Sequence, residues 1–211
     1  MSWNIIHSHY EEQDWSRKPS IFAESIVNLF PESWRILEIG AGLGQDSRFF
    51  CDSGFEVDST DFSIQALQMN QERSQNHIQS GRYHINILDI SDWISYLNYE
   101  FDVIYAHLSL HYFSEKKIKE IMVDILRILK KWWIFAVLLN TIDDPEYWKG
   151  EQIENDFFMI SWISKRYFSV ESARKLLLEW FDIQMLDNQW ETYKDREKWI
   201  HNLIRFVWKK I

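Results

Sequence analysis

The residues with the clearest chemical potential begin at a short glycine-rich stretch. Gly40, Gly42 and Gly44 alternate directly after the apolar run 35–39, and the polar residues 45–47 follow them. The apolar run is typical of a buried parallel strand, and we read the polar residues as the opening of a helix. Glycine allows close backbone approach and a positive φ, and a helix N-terminus offers unpaired N–H groups. The stretch therefore predicts a cradle for a nucleotide-like ligand, with an ordinary tight turn as the alternative.

Two acidic residues follow later apolar runs, at points where predicted strands end. Asp61 comes about 20 residues after the glycine turn, the spacing at which an acid accepts hydrogen bonds from ribose hydroxyls. Its alternative role is a carboxylate at the N-terminus of the following helix. Asp89 would bind an adenine amine or cap a helix at Ser91. Because ligands bind outside the carboxyl ends of parallel strands, we expect both acids at one site with His107 and Ser109, which follow the fourth strand.

Alternating strand-like and helix-like segments must position these residues. The predicted strands are 35–39, 56–60, 82–88, 101–106, 134–140, 181–186 and 199–209. The predicted helices are 20–30, 45–51, 64–79, 91–97, 115–130 and 170–180. This alternation favours an α/β fold with a doubly wound parallel sheet, and the last two strands favour an antiparallel hairpin at one edge.

Two segments fall outside this alternation. Residues 1–18 are polar and aromatic, and we predict an N-terminal arm that is either a surface cap or a flap over a ligand. Residues 141–168 are irregular in pattern and too long for an idle connection, so we predict a lid or substrate insertion there. We expect the whole chain, residues 1–211, to form a single domain.

Composition argues against several classes of function. The formal net charge of −9 opposes broad binding to a phosphate backbone, which needs a basic face. No apolar run is long enough to span a membrane, and the N-terminus lacks a signal-peptide pattern. The single Cys51 cannot form an internal disulfide, which favours the cytoplasm. We therefore expect a cytoplasmic protein with a small-molecule substrate, no nucleic-acid or membrane partner and no bound metal. The oligomeric state does not follow from the sequence.

Four segments, in this order, resemble the motifs of class I S-adenosylmethionine-dependent methyltransferases over about residues 20–140. Residues 36–44 read Glu-x-Gly-x-Gly-x-Gly, which resembles motif I and differs from the Gly-x-Gly-x-x-Gly dinucleotide fingerprint. Residues 58–63 resemble the second acidic motif, 86–90 the adenine-side motif and 101–113 the fourth-strand motif. The chain is similar to small bacterial members of the tellurite-resistance type. The resemblance implies a Rossmann-like seven-stranded mixed sheet, in the order 3-2-1-4-5-7-6 with the last strand antiparallel and helices on both faces.

The resemblance also implies S-adenosylmethionine as the cofactor and S-adenosylhomocysteine as the product. The cofactor-binding residues that it implies are Glu38, Gly40, Ala41, Gly42, Gly44, Asp61, Phe62, Asp89, Ile90 and His107. Asp61 would bind the ribose, with Phe62 beside the adenine and Asp89 at the adenine amine. His107 would border the methionine moiety and the methyl site. Glu38 would support the glycine turn or touch the ligand.

The implied chemistry places few demands on the protein. A sulfonium methyl group is already activated, so the protein chiefly aligns the acceptor and excludes water. A general base is needed only where the acceptor must lose a proton. His107 and His111 are the candidates, because imidazole titrates near neutral pH; a hydrogen-bonded packing role is the alternative for each. Tyr105, Tyr112 and Tyr147 are candidates for an acceptor pocket, with aromatic core as the alternative.

Several tryptophans stand where small turn residues are expected. They are Trp34, Trp132, Trp133, Trp148 and Trp190. Such methyltransferases usually have Lys-Pro-Gly-Gly before the fifth strand, and a bulky residue at a positive φ is strained. We therefore predict a distorted or exposed turn at 132–133. One hypothesis explains all five positions. The gene belongs to an organism that reads the codon UGA as glycine, whereas this sequence was translated with UGA as tryptophan. An aromatic surface cluster that contacts a partner or a membrane is the alternative.

Two other functions stay open at this point. A nicotinamide-dependent oxidoreductase also uses a glycine turn, although the glycine spacing weighs against it. A cofactor-binding regulatory protein without catalysis is the second, because the assignment of a base is weak and the tryptophan-containing turns are unusual.

Overall fold

The computed structural model describes residues 13–30, 34–92, 94–177, 181–189 and 203–210. Its strands are β1 (Arg35–Ile39), β2 (Glu56–Asp61), β3 (Tyr83–Ile87), β4 (Phe101–His107), β5 (Leu129–Asn140), β6 (Glu151–Glu154), β7 (Phe157–Ile160), β8 (Ile163–Arg166), β9 (Phe181–Gln189) and β10 (Leu203–Lys210). Its α-helices are α1 (Ile21–Ile26), α2 (Gln45–Asp52), α3 (Ile64–Arg73), α4 (Gln75–Gln79), α5 (Glu115–Ile128) and α6 (Val170–Leu177).

Seven of these strands form one mixed sheet in the order β3-β2-β1-β4-β5-β10-β9. The first five pair in parallel, and β10 lies antiparallel between β5 and β9. This confirms the predicted order and the antiparallel final strand. Strands β1 and β4 are buried along most of their length, because helices cover both faces of the sheet, and this explains their continuous apolar sequences.

Each face of the sheet has its own apolar layer. On one face, α5 presents Ile118, Ile121 and Ile125 to the core. On the other, Phe22 of α1 stacks on Tyr105 of β4 with ring centroids 5.5 Å apart. Serine residues cap four helices: the hydroxyls of Ser20, Ser63, Ser114 and Ser169 accept backbone N–H bonds in the first turns of α1, α3, α5 and α6. None of the helices among the described residues is long and apolar enough to span a membrane.

The prediction that residues 141–168 have no regular secondary structure was wrong. The strands β6, β7 and β8 form a separate antiparallel three-stranded sheet within it. These strands have only four residues each and mix charged with apolar side chains, so they show no extended alternation. We call this sheet the β6–β8 sheet.

Other element boundaries also differ from the sequence predictions. The segment predicted as a helix at 91–97 has no helical residue among those described there. The helix predicted at 64–79 is divided at Ser74 into α3 and α4. The helix predicted at 20–30 is α-helical only to Ile26 and continues as a 3₁₀ turn. Most of the N-terminal arm, residues 1–12, lies outside the described residues, as does the start of the predicted strand 199–209.

The predicted distortion at 132–133 is confirmed. Trp132 has φ 69° and is 61% exposed. The pairing between β4 and β5 slips there, because Phe101 pairs with Leu129 while Val103 pairs with Ile134. The backbone therefore bulges out of the sheet where a glycine turn was expected.

Candidate functional site

A cavity of about 480 Å³ lies at the carboxyl end of the parallel strands. Eight of the predicted cofactor-binding residues line it: Gly40, Ala41, Gly42, Asp61, Phe62, Asp89, Ile90 and His107. They come from the ends of β1, β2 and β4 and from the loop after β3. Glu38, Gly44 and His111 are outside the lining. The fold thus brings the separate sequence motifs to one place.

The glycine turn forms one wall of the cavity with its backbone. Gly40 and Gly42 have φ angles of 75° and 54°. The N–H groups of Gly40 and Ala41 donate to the carbonyl oxygen of Thr60 at 2.9 and 2.8 Å. A Cβ on Gly40 would lie 2.5 Å from the Cβ of Ser109, so a larger residue does not fit without movement. The turn is therefore held between β2 and the segment after β4.

Asp61 and Asp89 each accept local hydrogen bonds at the cavity. Oδ2 of Asp61 accepts the N–H of Gly42 at 2.9 Å, and Oδ1 accepts the N–H of Ser63 at 2.8 Å. Oδ1 of Asp89 accepts the N–H and the hydroxyl of Ser91 at 2.9 and 2.7 Å. Each carboxylate has about four acceptor positions, so both acids retain capacity for a ligand donor. The local bonds fix the orientation of each acid at the cavity.

Glu38 lies behind the glycine turn. Its carboxyl group accepts a hydrogen bond from Ser47 of α2, and its backbone carbonyl accepts the hydroxyl of Thr60 at 2.7 Å. Burial, followed by the negative charge of Asp46, raises the pKa of Glu38 well above its usual range. In this position Glu38 supports the glycine turn, because it connects β1 to α2 behind it.

The end of β4 is held in an unusual backbone conformation. Leu108 has φ 52°, in the left-handed region, and its N–H donates to the carbonyl of Leu138 at 3.1 Å. The hydroxyl of Ser109 donates to the carbonyl of Ile39 at 2.7 Å. Bonds on both sides maintain the strained residue, a feature that clusters at functional sites. His107, directly before it, is thereby presented to the cavity.

His111 occupies a different environment. It is 2% exposed, and its Nδ1 has no hydrogen-bond partner among the described residues. Burial, with lesser effects from Lys165 and His107, lowers the pKa of His111 well below the usual range. A side chain that is enclosed and resists protonation is poorly suited to proton transfer. The geometry thus favours His107 of the two candidate bases.

The β6–β8 sheet also contributes residues to the lining of the cavity. Trp162, Ile163 and Ser164, at the β7–β8 hairpin, line the cavity together with Tyr112 and Phe113 from the segment after β4. The insertion predicted as a lid or substrate element thus contributes directly to the site.

The other two candidate tyrosines do not line this cavity. The hydroxyl of Tyr105 donates to Asp46 at 2.6 Å, and the hydroxyl of Tyr147 donates to Asp156 at 2.5 Å. For both, the structure supports the alternative of an aromatic packing role rather than contact with an acceptor.

The sequence predictions gave some of the lining residues no binding role. Gln45, the first residue of α2, lines the cavity, and its Oε1 is buried without a hydrogen-bond partner among the described residues. Its position directly after Gly44 was visible in the sequence, but the burial of its unpaired amide oxygen was not. No group of three or more potential metal ligands occurs among the described residues.

Comparison with known proteins gives a match to a methyltransferase family model and to a methyltransferase relative. The model of a methyltransferase domain family matches residues 36–132. A demethylmenaquinone methyltransferase of Leptospira interrogans is 27% identical over 146 residues, which cover 68% of this chain and 53% of that protein. The match thus spans about half the length of this curated relative.

Solved structures show the same fold along most of the chain. An S-adenosylmethionine-dependent methyltransferase of Methanosarcina mazei has a TM-score of 0.75 at 17% identity, covering 89% of this chain and 97% of that one. The 1,6-didemethyltoxoflavin-N1-methyltransferase of Burkholderia thailandensis, bound to 1,6-didemethyltoxoflavin and S-adenosylhomocysteine, has a TM-score of 0.76 at 15% identity, covering 99% and 84%. Residues 36–132 are therefore similar to a methyltransferase domain, and the chain shares the fold of these class I methyltransferase structures.

Proposed function

We propose that this protein is an S-adenosylmethionine-dependent methyltransferase that acts on a small-molecule acceptor. The observation that carries the proposal is the meeting of the glycine turn, Asp61, Asp89 and His107 at one cavity. The residues come from four different strand ends, so a chance turn between one strand and one helix does not account for them.

The residues present fit this cofactor. Gly40 and Gly42 line the cavity without a side chain, which allows close approach of a ligand to the backbone. Asp61 offers acceptor oxygens to ribose hydroxyls, and Asp89 offers them to an adenine amine. Phe62 and Ile90, which directly follow these acids in the chain, provide apolar surface in the cavity. When bound, S-adenosylmethionine supplies an activated methyl group.

The acceptor is expected to be small. The cavity of about 480 Å³ must hold both the cofactor and the acceptor. The wall formed by Tyr112, Phe113 and the β7–β8 hairpin is largely apolar and aromatic, which suits a ring-shaped acceptor. Two similar proteins are named for small molecules, demethylmenaquinone and 1,6-didemethyltoxoflavin.

The chain contributes positioning, exclusion of water and, for some acceptors, removal of a proton. Tyr112, Phe113 and Ile163 enclose the acceptor side of the cavity and limit access of water. His107 is the residue that would accept a proton from an acceptor O–H or N–H group. An acceptor that is already ionised would need only alignment.

Calorimetric titration tests the proposal. We expect S-adenosylhomocysteine to bind and NAD to show no binding. Binding of NAD in place of S-adenosylhomocysteine would contradict the proposal and favour an oxidoreductase. Turnover is then measured with a panel of thiol, oxyanion and amine acceptors. Binding of S-adenosylhomocysteine without methylation of any acceptor would favour the regulatory alternative.

A further inference from the structure

Arg166 of β8 carries a buried charge close to the acceptor side of the cavity. The residue is only 6% exposed, and a buried arginine needs partners for its charge and for its N–H groups. Arg166 does not line the cavity, but Ser164, two residues before it on the same strand, does. The role of Arg166 therefore has to be found in the partners of its guanidinium group.

The guanidinium group of Arg166 connects two separate parts of the chain. Its Nε donates to the backbone carbonyl of Phe113, in the segment between β4 and α5, at 3.2 Å. Its Nη1 donates to the backbone carbonyl of Asn155 at 3.1 Å, and its Nη2 forms an ion pair with the carboxylate of Glu154 at the end of β6. The guanidinium carbon also lies 4.9 Å from the centroid of the Phe157 ring. Because guanidinium is planar and its N–H groups have fixed directions, it holds these partners in one arrangement.

Glu154 extends this connection to the start of α5. Its Oε2 accepts the backbone N–H of Glu115, the first residue of that helix, at 3.2 Å. The pair formed by Arg166 and Glu154 thus holds the segment between β4 and α5 at two points, the carbonyl of Phe113 and the helix that follows it.

These contacts determine the relative position of two groups of residues that line the cavity. One group is Tyr112 and Phe113, and the other is Ile163 and Ser164 of β8. A strand rises about 3.3 Å per residue, so Ser164 lies about 7 Å from Arg166 along β8. All four residues of β8 pair with β7, so we expect the strand to move as a unit. The bond from Arg166 to the carbonyl of Phe113 therefore fixes the spacing between the two groups.

The same contacts leave the cofactor side alone. The hydrogen-bonding partners of Arg166 are Phe113, Glu154 and Asn155, and all three are outside the residues predicted to bind the cofactor. We propose that Arg166 is a positioning residue that sets the spacing across the acceptor side of the cavity, and with it the affinity for the acceptor. This inference rests on the proposed function.

Arg166→Met tests the inference in the full-length enzyme. Methionine removes the charge and the N–H donors but keeps an unbranched side chain, and Glu154, whose side chain is 39% exposed, can then be solvated. Kinetics are measured with the acceptor that the wild type methylates fastest in the panel of thiols, oxyanions and amines. We expect the KM for this acceptor to rise about 10-fold and kcat to stay within about threefold. The affinity for S-adenosylhomocysteine should stay within about twofold in calorimetric titration.

Two further variants separate positioning from general stability. Loss of folded enzyme lowers kcat and leaves KM unchanged, because the molecules that remain folded bind the acceptor normally. Arg166→Lys keeps the charge but lacks the planar group, so we expect a smaller rise in KM of about threefold. Arg205→Met is the matched control, because Arg205 pairs with Asp187 at 2.7 Å between β10 and β9 and neither residue lines the cavity. It should leave KM unchanged.

The outcomes distinguish this inference from the proposed function. If KM is unchanged in Arg166→Met, the inference is overturned and the proposed function stands. Equal losses of affinity for the acceptor and for S-adenosylhomocysteine also overturn it, because the whole cavity would then be disturbed. If Arg166→Met does not fold, Arg166→Lys decides by the same comparison of KM. If the wild type methylates no acceptor of the panel, the proposed function fails and the inference fails with it.

Discussion

The carboxylate of Asp61 accepts a hydrogen bond from the backbone N–H of Gly42 at 2.9 Å, across 19 positions of sequence. The acid at the end of β2 and the glycine turn after β1 are therefore one structural unit. The turn keeps the acid oriented, and the acid anchors the turn. A change in either residue affects both the wall of the cavity and the group expected to meet the ribose.

Gly42→Val tests the role of the glycine turn as a wall of the cavity. Gly42 has φ 54°, a conformation that a β-branched residue rarely adopts, and its backbone faces the cavity. We expect the affinity for S-adenosylhomocysteine to fall at least about 100-fold in calorimetric titration, equivalent to about 2.7 kcal/mol. The circular dichroism spectrum should change little. Gly81→Val is the control, because Gly81 has φ 76° but a Cβ there meets nothing within 4 Å. Affinity like that of the wild type in Gly42→Val would remove the central role of the turn.

Ile163→Ala tests the β7–β8 hairpin as part of the acceptor site. Ile163 lines the cavity and belongs to the β6–β8 sheet, outside the cofactor-binding motifs. Removal of its apolar atoms should raise the KM for the acceptor about 5- to 10-fold, since about 1–1.5 kcal/mol of contact is lost. Cofactor affinity should remain unchanged. Ile153→Ala, at a 48% exposed position on β6, should alter neither quantity. A loss of cofactor affinity in Ile163→Ala would place the hairpin at the cofactor instead.

The burial of His111 makes stability depend on pH. Its folded-state pKa is lowered well below the usual value, so below about pH 6.5 the unfolded chain binds a proton that folded His111 does not. The stability that neutral His111 provides is therefore lost as pH falls through that range, by up to about 1.4 kcal/mol per pH unit. Urea unfolding at pH 7.5 and pH 5 should show a smaller decrease for His111→Gln than for the wild type. Equal decreases in both proteins would contradict this view of His111.

Trp132→Gly tests the strain at the start of β5. A non-glycine residue at φ 69° costs about 1–2 kcal/mol, and the 61% exposed side chain of Trp132 gains little from packing. We expect the free energy of unfolding to rise by about 1 kcal/mol in Trp132→Gly. Lys131→Gly, the neighbouring position with an ordinary φ, should instead lose about 0.5–1 kcal/mol. Destabilisation of both variants would show that Trp132 is not strained.

This strain bears on the hypothesis that UGA encodes glycine in the native organism. Trp132 and Trp148 have φ angles of 69° and 68°, in the region that glycine occupies readily. The rings of Trp34 and Trp133 have centroids 3.7 Å apart at 75°, closer than the roughly 4.5–7 Å usual for aromatic pairs. Trp190 lies outside the described residues. Peptide mass spectrometry of the native protein decides the matter, and tryptophan at 132 and 133 would refute the hypothesis.

The parts of the fold and site that the sequence predicted are those with local signals. The glycine turn was predicted from alternate glycines after an apolar run. Asp61 was predicted from its position at the end of the next apolar run. The alternation of elements predicted the α/β class, the family resemblance implied the sheet order, and the structure confirms both. For the candidate site residues, the structure shows which of them share a cavity, while their binding roles remain predictions.

The parts that the sequence did not predict depend on long-range contacts. The strands of the β6–β8 sheet have four residues each, and their sequences carry no clear strand pattern. They are strands because they pair with one another. The unpaired amide of Gln45 is visible only when the burial of each atom is known. His111 and His107 belong to one sequence motif, yet their different burial distinguishes them as candidate bases.

His107→Asn tests whether the chain removes a proton during catalysis. His107 ends β4 at the cavity wall, and the bonds at Leu108 and Ser109 fix the backbone beside it. If its imidazole accepts a proton from the acceptor, kcat should fall about 100-fold for an acceptor that reacts through a neutral O–H or N–H group. The loss should be much smaller for an acceptor that is already ionised at the assay pH, because alignment alone then suffices. His84→Asn, on β3 away from the cavity, is the matched control and should leave both rates unchanged. Equal losses of kcat with both acceptors would assign His107 a role in binding or packing, since only proton removal depends on the ionisation state of the acceptor.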